Sequence, residues 1–403
     1  MSTPIDRRKF LQGMSAAAAA GLLNLPANAA PGPALPAPTA AKLPRWRGFN
    51  LLEKFIARLQ NTAFREADFA WMAEWGFNFV RLPMSYHCWS DPHDWHLIRE
   101  PVMKEIDAAV ALGKQYGIHV CLNFHRAPGY SVDRSQAEPF NLWSDDPALE
   151  ACVYHWRHFA ARYRDIPNSA LSFDLINEPG MKNDHELLDD ATYARVVQAL
   201  VAGIRAESPD RLIIADGLSW GRIPVPALVG LGIGQSTRGY EPMEVSHWKA
   251  DWVGGSDQWS QPTWPLPATP ARVAGDQHQL AGFRQVFKDN PIVQRFTGED
   301  ALTQDWNRAR LVRQLIKPWQ DLEAMGVGVH VGECGAHNRT PHEVVLAWLR
   351  DLTGCWRDAG WGWALWNLRG TFGILDSERT DVRYENFRGH KLDRALLELL
   401  RAA

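Results

Sequence analysis

Short apolar runs alternate with amphipathic stretches from Arg45 to the end of the chain. The runs lie at Trp46–Leu51, Asn78–Leu82, His119–Phe124, Ala170–Ile176, Leu212–Ala215, Met243–Ser246, Val327–Gly332 and Gly362–Trp366. Between them, helical periodicity covers Glu66–Trp75, Val102–Tyr116, Ala148–Tyr163, Thr192–Ala206, Arg308–Met325, Pro341–Ala359 and Lys391–Ala402. Eight repeats of strand and helix predict an α/β fold, a closed (β/α)8 TIM barrel in a single domain spanning 45–403. In such barrels the chemistry projects from the C-terminal ends of the strands. A doubly wound open sheet is disfavoured because no Gly-rich phosphate loop opens the first helix, and a two-domain chain because no internal linker is seen. Roughly eighty residues separate the sixth run from the seventh, longer than connections usually are. Within them Trp252–Pro270 is too rich in Gly, Pro, Trp and Gln for helix or strand. It reads as a long loop insertion over the barrel mouth, either a substrate lid or a structural cap.

The first thirty residues break the pattern. Asp6-Arg7-Arg8-Lys9-Phe10-Leu11 leads into an apolar, alanine-rich run to Leu25 and then into Ala27-Asn28-Ala29, a small-x-small cleavage pattern. Residues 1–29 thus look like a twin-arginine signal peptide, too short in its apolar part to anchor the chain in a bilayer about 30 Å thick. The expected location is periplasmic or extracellular, with no membrane anchor. Residues 30–44, rich in Pro and Ala, read as a disordered linker.

A formal net charge of −3 supplies no field for nucleic acid, so none is expected as a partner. Five Cys, none in zinc-ligand spacing and odd in number, predict free thiols, mostly buried, and the protein is separately expected to be a monomer. His155 and His158 fit a packed helix face better than a metal site, and no metal or organic cofactor is implied. Nineteen Trp is the unusual count, because indole faces stack on the apolar faces of sugar rings as well as filling cores.

Candidate chemistry sits at two strand ends. The fourth run closes on Asn177-Glu178-Pro179 and the seventh on Gly332-Glu333-Cys334. Two carboxyl groups on one barrel face are the equipment for glycosidic cleavage, one protonating the leaving oxygen while the other attacks the anomeric carbon or activates water. Either motif alone is equally compatible with a helix cap or a turn.

Taken in order, Arg47-Gly48-Phe49-Asn50-Leu51, Trp75 through Pro83, Asn123-Phe124-His125, Asn177-Glu178-Pro179, His247, Gly332-Glu333 and Trp366 resemble glycoside hydrolase family 5, the cellulase-type retaining enzymes. The resemblance implies Glu178 as acid/base and Glu333 as the nucleophile of a covalent glycosyl-enzyme, the two carboxyls lying about 5–5.5 Å apart. It further implies that Arg81 orients Glu333, that Asn177 and His125 bond substrate hydroxyls, and that Trp366 forms the floor under the sugar. His247 and Trp248 would orient catalytic groups and substrate. The substrate would be a β-glucan or related β-glycan or oligosaccharide. In that family a Tyr stands two residues after the sixth-strand His and touches the nucleophile. Here Lys249 takes that place, which leaves the role to another hydroxyl, Tyr240 or Tyr86.

Three rivals follow. Gly217-Leu218-Ser219-Trp220-Gly221 matches the nucleophile-elbow pattern of serine esterases, but Pro224 and Pro226 break the helix such an elbow requires. A non-catalytic carbohydrate-binding barrel would keep the aromatic cleft without the chemistry. A transglycosylase would keep both and use a sugar hydroxyl as acceptor.

Overall fold

A computed structural model describes residues 35–132 and 138–403. Its strands are β1 (Arg47–Asn50), β2 (Phe79–Ser85), β3 (His119–Ala127), β4 (Leu171–Asp174), β5 (Ile213–Asp216), β6 (Gly234–Gly239), β7 (Val329–Cys334) and β8 (Trp363–Leu365). Each lies parallel to the next, and β8 returns to β1 with Ala364 opposite Gly48, so the sheet closes as an eight-stranded barrel. Parallel neighbours need crossovers, and Glu66–Glu74, Glu100–Tyr116, Asp146–Arg162, Asp190–Glu207 and His342–Ala359 supply helical ones. Glu100–Tyr116 shows how the sequence sets such a helix. Pro101 opens it, Met103, Ile106, Val110 and Gly113 share its buried face, and Gly117 ends it at φ 66°.

Alternation along the strands fills the barrel in layers. At the N-terminal end Trp46 stacks on His119 with centroids 3.7 Å apart, and Phe79 packs on His330 at 4.6 Å. Burial drives both His rings down to about 3, so they are neutral members of an aromatic plug. Cys121, Ile214 and Ala364 join the inner cluster around it. Two residues further along their strands, Phe79 gives way to Arg81, Ile214 to Asp216 and Ser236 to Arg238. The barrel interior therefore changes from apolar to ionic toward its C-terminal mouth.

The structure corrects the position of the sixth strand. It is Gly234–Gly239, whereas Met243–Ser246 is a single helical turn. The strand GQSTRG lacks hydrophobic residues because neighbours supply them. The Gly239 α-carbon lies against Trp356, Leu43 packs on Gly234, and the Gln235 amide exchanges hydrogen bonds with the backbone of Val225. Between β6 and β7 lie an irregular run over 247–269, a helix at Pro270–Val286 with no fully buried residue, and a helical stretch from Arg308 to Glu323 containing a π turn at Val312–Ile316.

The twin-arginine segment lies outside the described residues. In the stretch read as a linker, residues 39–43 belong to the packed unit instead. Thr39 and Lys42 bridge, Gly328 N–H donates to the Ala40 carbonyl, and Leu43 is buried beneath the barrel. All five cysteines are free and buried, as expected.

Candidate active site

Glu333 ends β7, where the pairing register with β6 shifts between Thr237 and Arg238. Its Oε1 accepts from Arg81 Nη1 at 2.6 Å and its Oε2 from Tyr240 Oη at 3.1 Å. Arg81 is fully buried and fourfold occupied, donating also to Asp174 Oδ2 at 2.7 Å, Asn177 Oδ1 at 2.9 Å and Asn50 Oδ1 at 3.2 Å. A planar guanidinium suits this fan of acceptors as no ammonium would.

Glu178 follows β4 in the left-handed region, φ 49°, a conformation costly for a non-glycine residue and concentrated at functional sites. Its N–H donates to Asp216 Oδ2 at 2.9 Å and its carbonyl accepts from Tyr130 Oη at 2.6 Å, so the strained backbone is clamped on both sides. Arg238 Nε donates to its Oε1 at 2.9 Å. Burial first, and then the nearby Glu333 charge, push the Glu178 carboxyl up to about 8 even with Arg238 pulling the other way. One carboxyl is thereby kept protonated near neutral pH while the second, Glu333, accepts two strong donors. That division of labour is what an acid and a nucleophile require.

Asn177 joins the two halves. Its Oδ1 accepts from both Arg81 Nη2 and Arg238 Nη2 at 2.9 Å, which turns its Nδ2 toward His125 Nε2 at 3.4 Å. Burial and the flanking guanidiniums hold His125 neutral. With Nε2 acting as acceptor, the ring proton falls to Nδ1, which has no hydrogen-bond partner among the described residues and lies 3.9 Å from Glu333 Oε1. Trp366 directly follows β8, half-buried, with Phe55 and His125 against it at 5.2 and 5.6 Å. Arg81, His125, Asn177, Glu178, Glu333 and Trp366 therefore converge on the barrel mouth.

His247 and Trp248 do not stand at a strand end. His247 lies behind Tyr240, ring centroids 5.0 Å apart, with Nδ1 bonded to Ser246 Oγ at 2.8 Å. Trp248 is buried in the loop, donating to the Trp259 carbonyl at 3.0 Å under the Lys249 ammonium. The misplacement of the sixth strand caused this error. Counted from the true β6, the strand-end residue is Arg238 and the Tyr two positions on is Tyr240. The hydroxyl that the resemblance places on the nucleophile is thus present, and Arg replaces the His. Tyr86 is engaged elsewhere, with Glu138 at 2.5 Å. Arg238 and Asp216 were missed altogether. The signal available was the Arg-x-Tyr spacing at the end of a polar run.

Ser219 adopts φ 52° after β5, as an elbow nucleophile would, yet its hydroxyl partner is Arg222 at 3.4 Å rather than a histidine. A cavity of about 490 Å³ is lined by Tyr130, Phe140, Trp143 and Lys182, next to the Glu178 carbonyl that Tyr130 holds, and one of about 130 Å³ is lined by Glu241, Leu280 and Phe283 at the Pro270–Val286 helix. Among the described residues no three His, Cys, Asp or Glu side chains group as a metal site, and His155 instead accepts from Trp89 Nε1 at 3.2 Å.

A closed (β/α)8 barrel carrying two carboxyls of opposed environment at its C-terminal mouth defines the glycosidase class of this fold. Comparison with known proteins narrows it: residues 39–371 match the cellulase family, glycosyl hydrolase family 5, and the chain belongs to that family. A crystal structure of a glycoside hydrolase is 34% identical, with a TM-score of 0.76, and the match covers 89% of this chain and 99% of that one. Endoglucanase C of Acetivibrio thermocellus is 24% identical over 338 residues, 81% of this chain and 90% of its own length. Endoglucanase 3 of Fibrobacter succinogenes is 22% identical over 81% of this chain. The chain spans about half the length of that protein, and likewise of a glucan 1,3-β-glucosidase from Emericella nidulans.

Proposed function

We propose that the protein is an exported retaining β-glycosidase that hydrolyses β-linked glucans or oligosaccharides derived from them. The observation that carries this is the placement of Glu178 and Glu333 on one barrel mouth, the first pushed up to about 8 by burial and the second bonded to Arg81 and Tyr240.

In this reading protonated Glu178 gives its proton to the glycosidic oxygen as Glu333 attacks the anomeric carbon. The C–O bond to the leaving sugar breaks and an ester to Glu333 forms. Esterification removes the Glu333 charge, the second-largest cause raising Glu178. Glu178, now ionised, is then held by Arg238 alone and takes a proton from the water that cleaves the ester. The second Asn177 Nδ2 proton and the His125 Nδ1 proton are the donors for sugar hydroxyls, and Trp366 is the floor beneath the ring. His247 and Trp248 act from behind Tyr240 and within the loop, not on the reacting atoms.

The curated relatives named as endoglucanases and glucosidases support a glucan as substrate. The twin-arginine pattern of residues 1–29 supports export, and among the described residues no helix is long and apolar enough to cross a membrane. The test is hydrolysis by the mature protein, beside Glu333→Ala, on β-glucans, mannans, xyloglucan and aryl β-glycosides, with products read by size. Turnover lost in the control establishes the reading. Sugar binding without turnover would replace it with the binding-barrel alternative, and sugar-dependent chain extension with the transglycosylase.

A further inference from the structure

The mouth holds two arginines, and each is built in the same way. Arg81 on β2 holds Glu333 and is backed by Asp174 on β4. Arg238 on β6 holds Glu178 and is backed by Asp216 on β5, through Nη1 to Oδ1 at 2.9 Å and through Nη2 to Oδ2. Asp216 is wholly buried and grips the clamped Glu178 from two sides, as counter-ion of Arg238 and as acceptor of the Glu178 N–H at 2.9 Å. An arginine 2.9 Å from a general acid is an awkward neighbour, because a bare guanidinium favours the ionised form that cannot donate a proton. Asp216 cancels that pull where it originates.

We propose that Asp216 and Arg238 form a positioning pair that fixes the geometry of Glu178 and the pH at which it releases its proton, Arg238 steering the carboxyl and Asp216 keeping it protonated. The inference rests on Glu178 being the acid/base. The other charged and titratable groups facing Glu178 are Glu333 on β7, Tyr240 after β6 and Tyr130, whose hydroxyl donates to the Glu178 carbonyl, and all three stay in place in every variant below. Arg81, Asp174 and His125, on β2, β4 and β3, lie across the network and are likewise retained.

Opposite substitutions within the pair must then act in opposite directions. Asp216→Asn removes the nearest counter-ion of the guanidinium, leaving Glu333 Oε1 at 3.6 Å as its other carboxylate partner besides Glu178, and should lower the Glu178 titration by about one pH unit or more, whereas Arg238→Gln should raise it by about as much. Arg238→Lys keeps the charge and should stay near the wild type. The measurement is a 13C NMR titration of the mature protein labelled at glutamate carboxyls, with Glu178 assigned by Glu178→Gln. It is read beside the basic limb of kcat/KM on an aryl β-glucoside, which should move with it.

A merely structural role would lower activity in all variants without moving that limb in two directions. If both substitutions shift the titration the same way, or neither shifts it, in proteins whose near-ultraviolet circular dichroism is native, the pair has no such role. Should Asp216→Asn fail to fold, the contrast between Arg238→Gln and Arg238→Lys decides alone, with a separation of about one unit required. Absence of wild-type turnover on every glycoside would sink the glycosidase reading, while the carboxyl titration would still judge the pair.

Discussion

Glu178→Gln offers a prediction that separates stability from function. In the folded chain the Glu178 carboxyl is pushed up to about 8 from an ordinary 4.5. Below pH 4.5 it is protonated both folded and unfolded and its titration costs nothing. Between 4.5 and about 8 the unfolded chain releases the proton and the folded chain keeps it, so stability falls as pH rises, and above 8 the loss is complete. At about 1.36 kcal/mol per pH unit that interval sets a ceiling of about 5 kcal/mol. Relaxation of the coupled neighbours lowers it, and we expect at least ~1 kcal/mol to remain. Gln keeps the shape and still accepts from Arg238 Nε without carrying a charge. The variant should therefore match the wild type in urea unfolding at pH 4.5 and exceed it by ~1–5 kcal/mol at pH 8.5, while losing hydrolysis of unactivated glycosides. Equal stability of the two proteins at both pH values would refute the reasoning, because it would mean that Glu178 titrates normally.

Further consequences follow from the same geometry. Arg81→Met leaves Glu333 and Asp174 buried without their guanidinium, which should cost about 3–5 kcal/mol in urea unfolding and abolish turnover; a loss below ~1 kcal/mol would contradict the burial argument. Tyr240→Phe removes the donor on Glu333 Oε2 and should lower kcat/KM about 10- to 100-fold, the worth of a hydrogen bond to a charged group, with the melting temperature little changed. In Gly239→Ala the new Cβ would lie 2.5 Å from Trp356 and 2.8 Å from Cys334 Cβ, so calorimetry should show a destabilisation of about 1–3 kcal/mol. A serine-directed inhibitor should leave activity untouched, since among the described residues the Ser219 hydroxyl meets Arg222 and no histidine.

Most of the barrel was legible because seven of its strands carry the apolar alternation that burial demands. Both catalytic candidates were legible because each follows an apolar run and stands in a recognisable setting. What escaped was β6, the strand whose inward positions are Gly234, Ser236 and Arg238 and whose outward face borrows Trp356 from a helix more than a hundred residues away in sequence. Periodicity records a residue's own hydrophobicity and not what its neighbours supply. That one omission moved the sixth strand onto Met243–Ser246, promoted His247 and Trp248 to the site, and hid Arg238 and its partner Asp216. Tyr240 stays legible only because Lys249 lacks the hydroxyl that the family places on the nucleophile, so another side chain has to supply it. The Pro270–Val286 helix escaped for the opposite reason: none of its residues is fully buried, and only a few apolar side chains such as Phe283 and Val286 reach the core, too sparse for a clear stripe.

The central claim, a covalent intermediate on Glu333, is tested most directly by trapping it. Incubating the mature protein with a 2-deoxy-2-fluoro β-glucoside bearing a good leaving group slows both steps and the second more, so the glycosyl-enzyme accumulates. The account predicts a mass increase of one fluoroglucosyl group, confined to the peptide containing Glu333 and absent in Glu333→Ala. Turnover of glucosides with no label on any carboxyl, and a released sugar of inverted configuration, would contradict it.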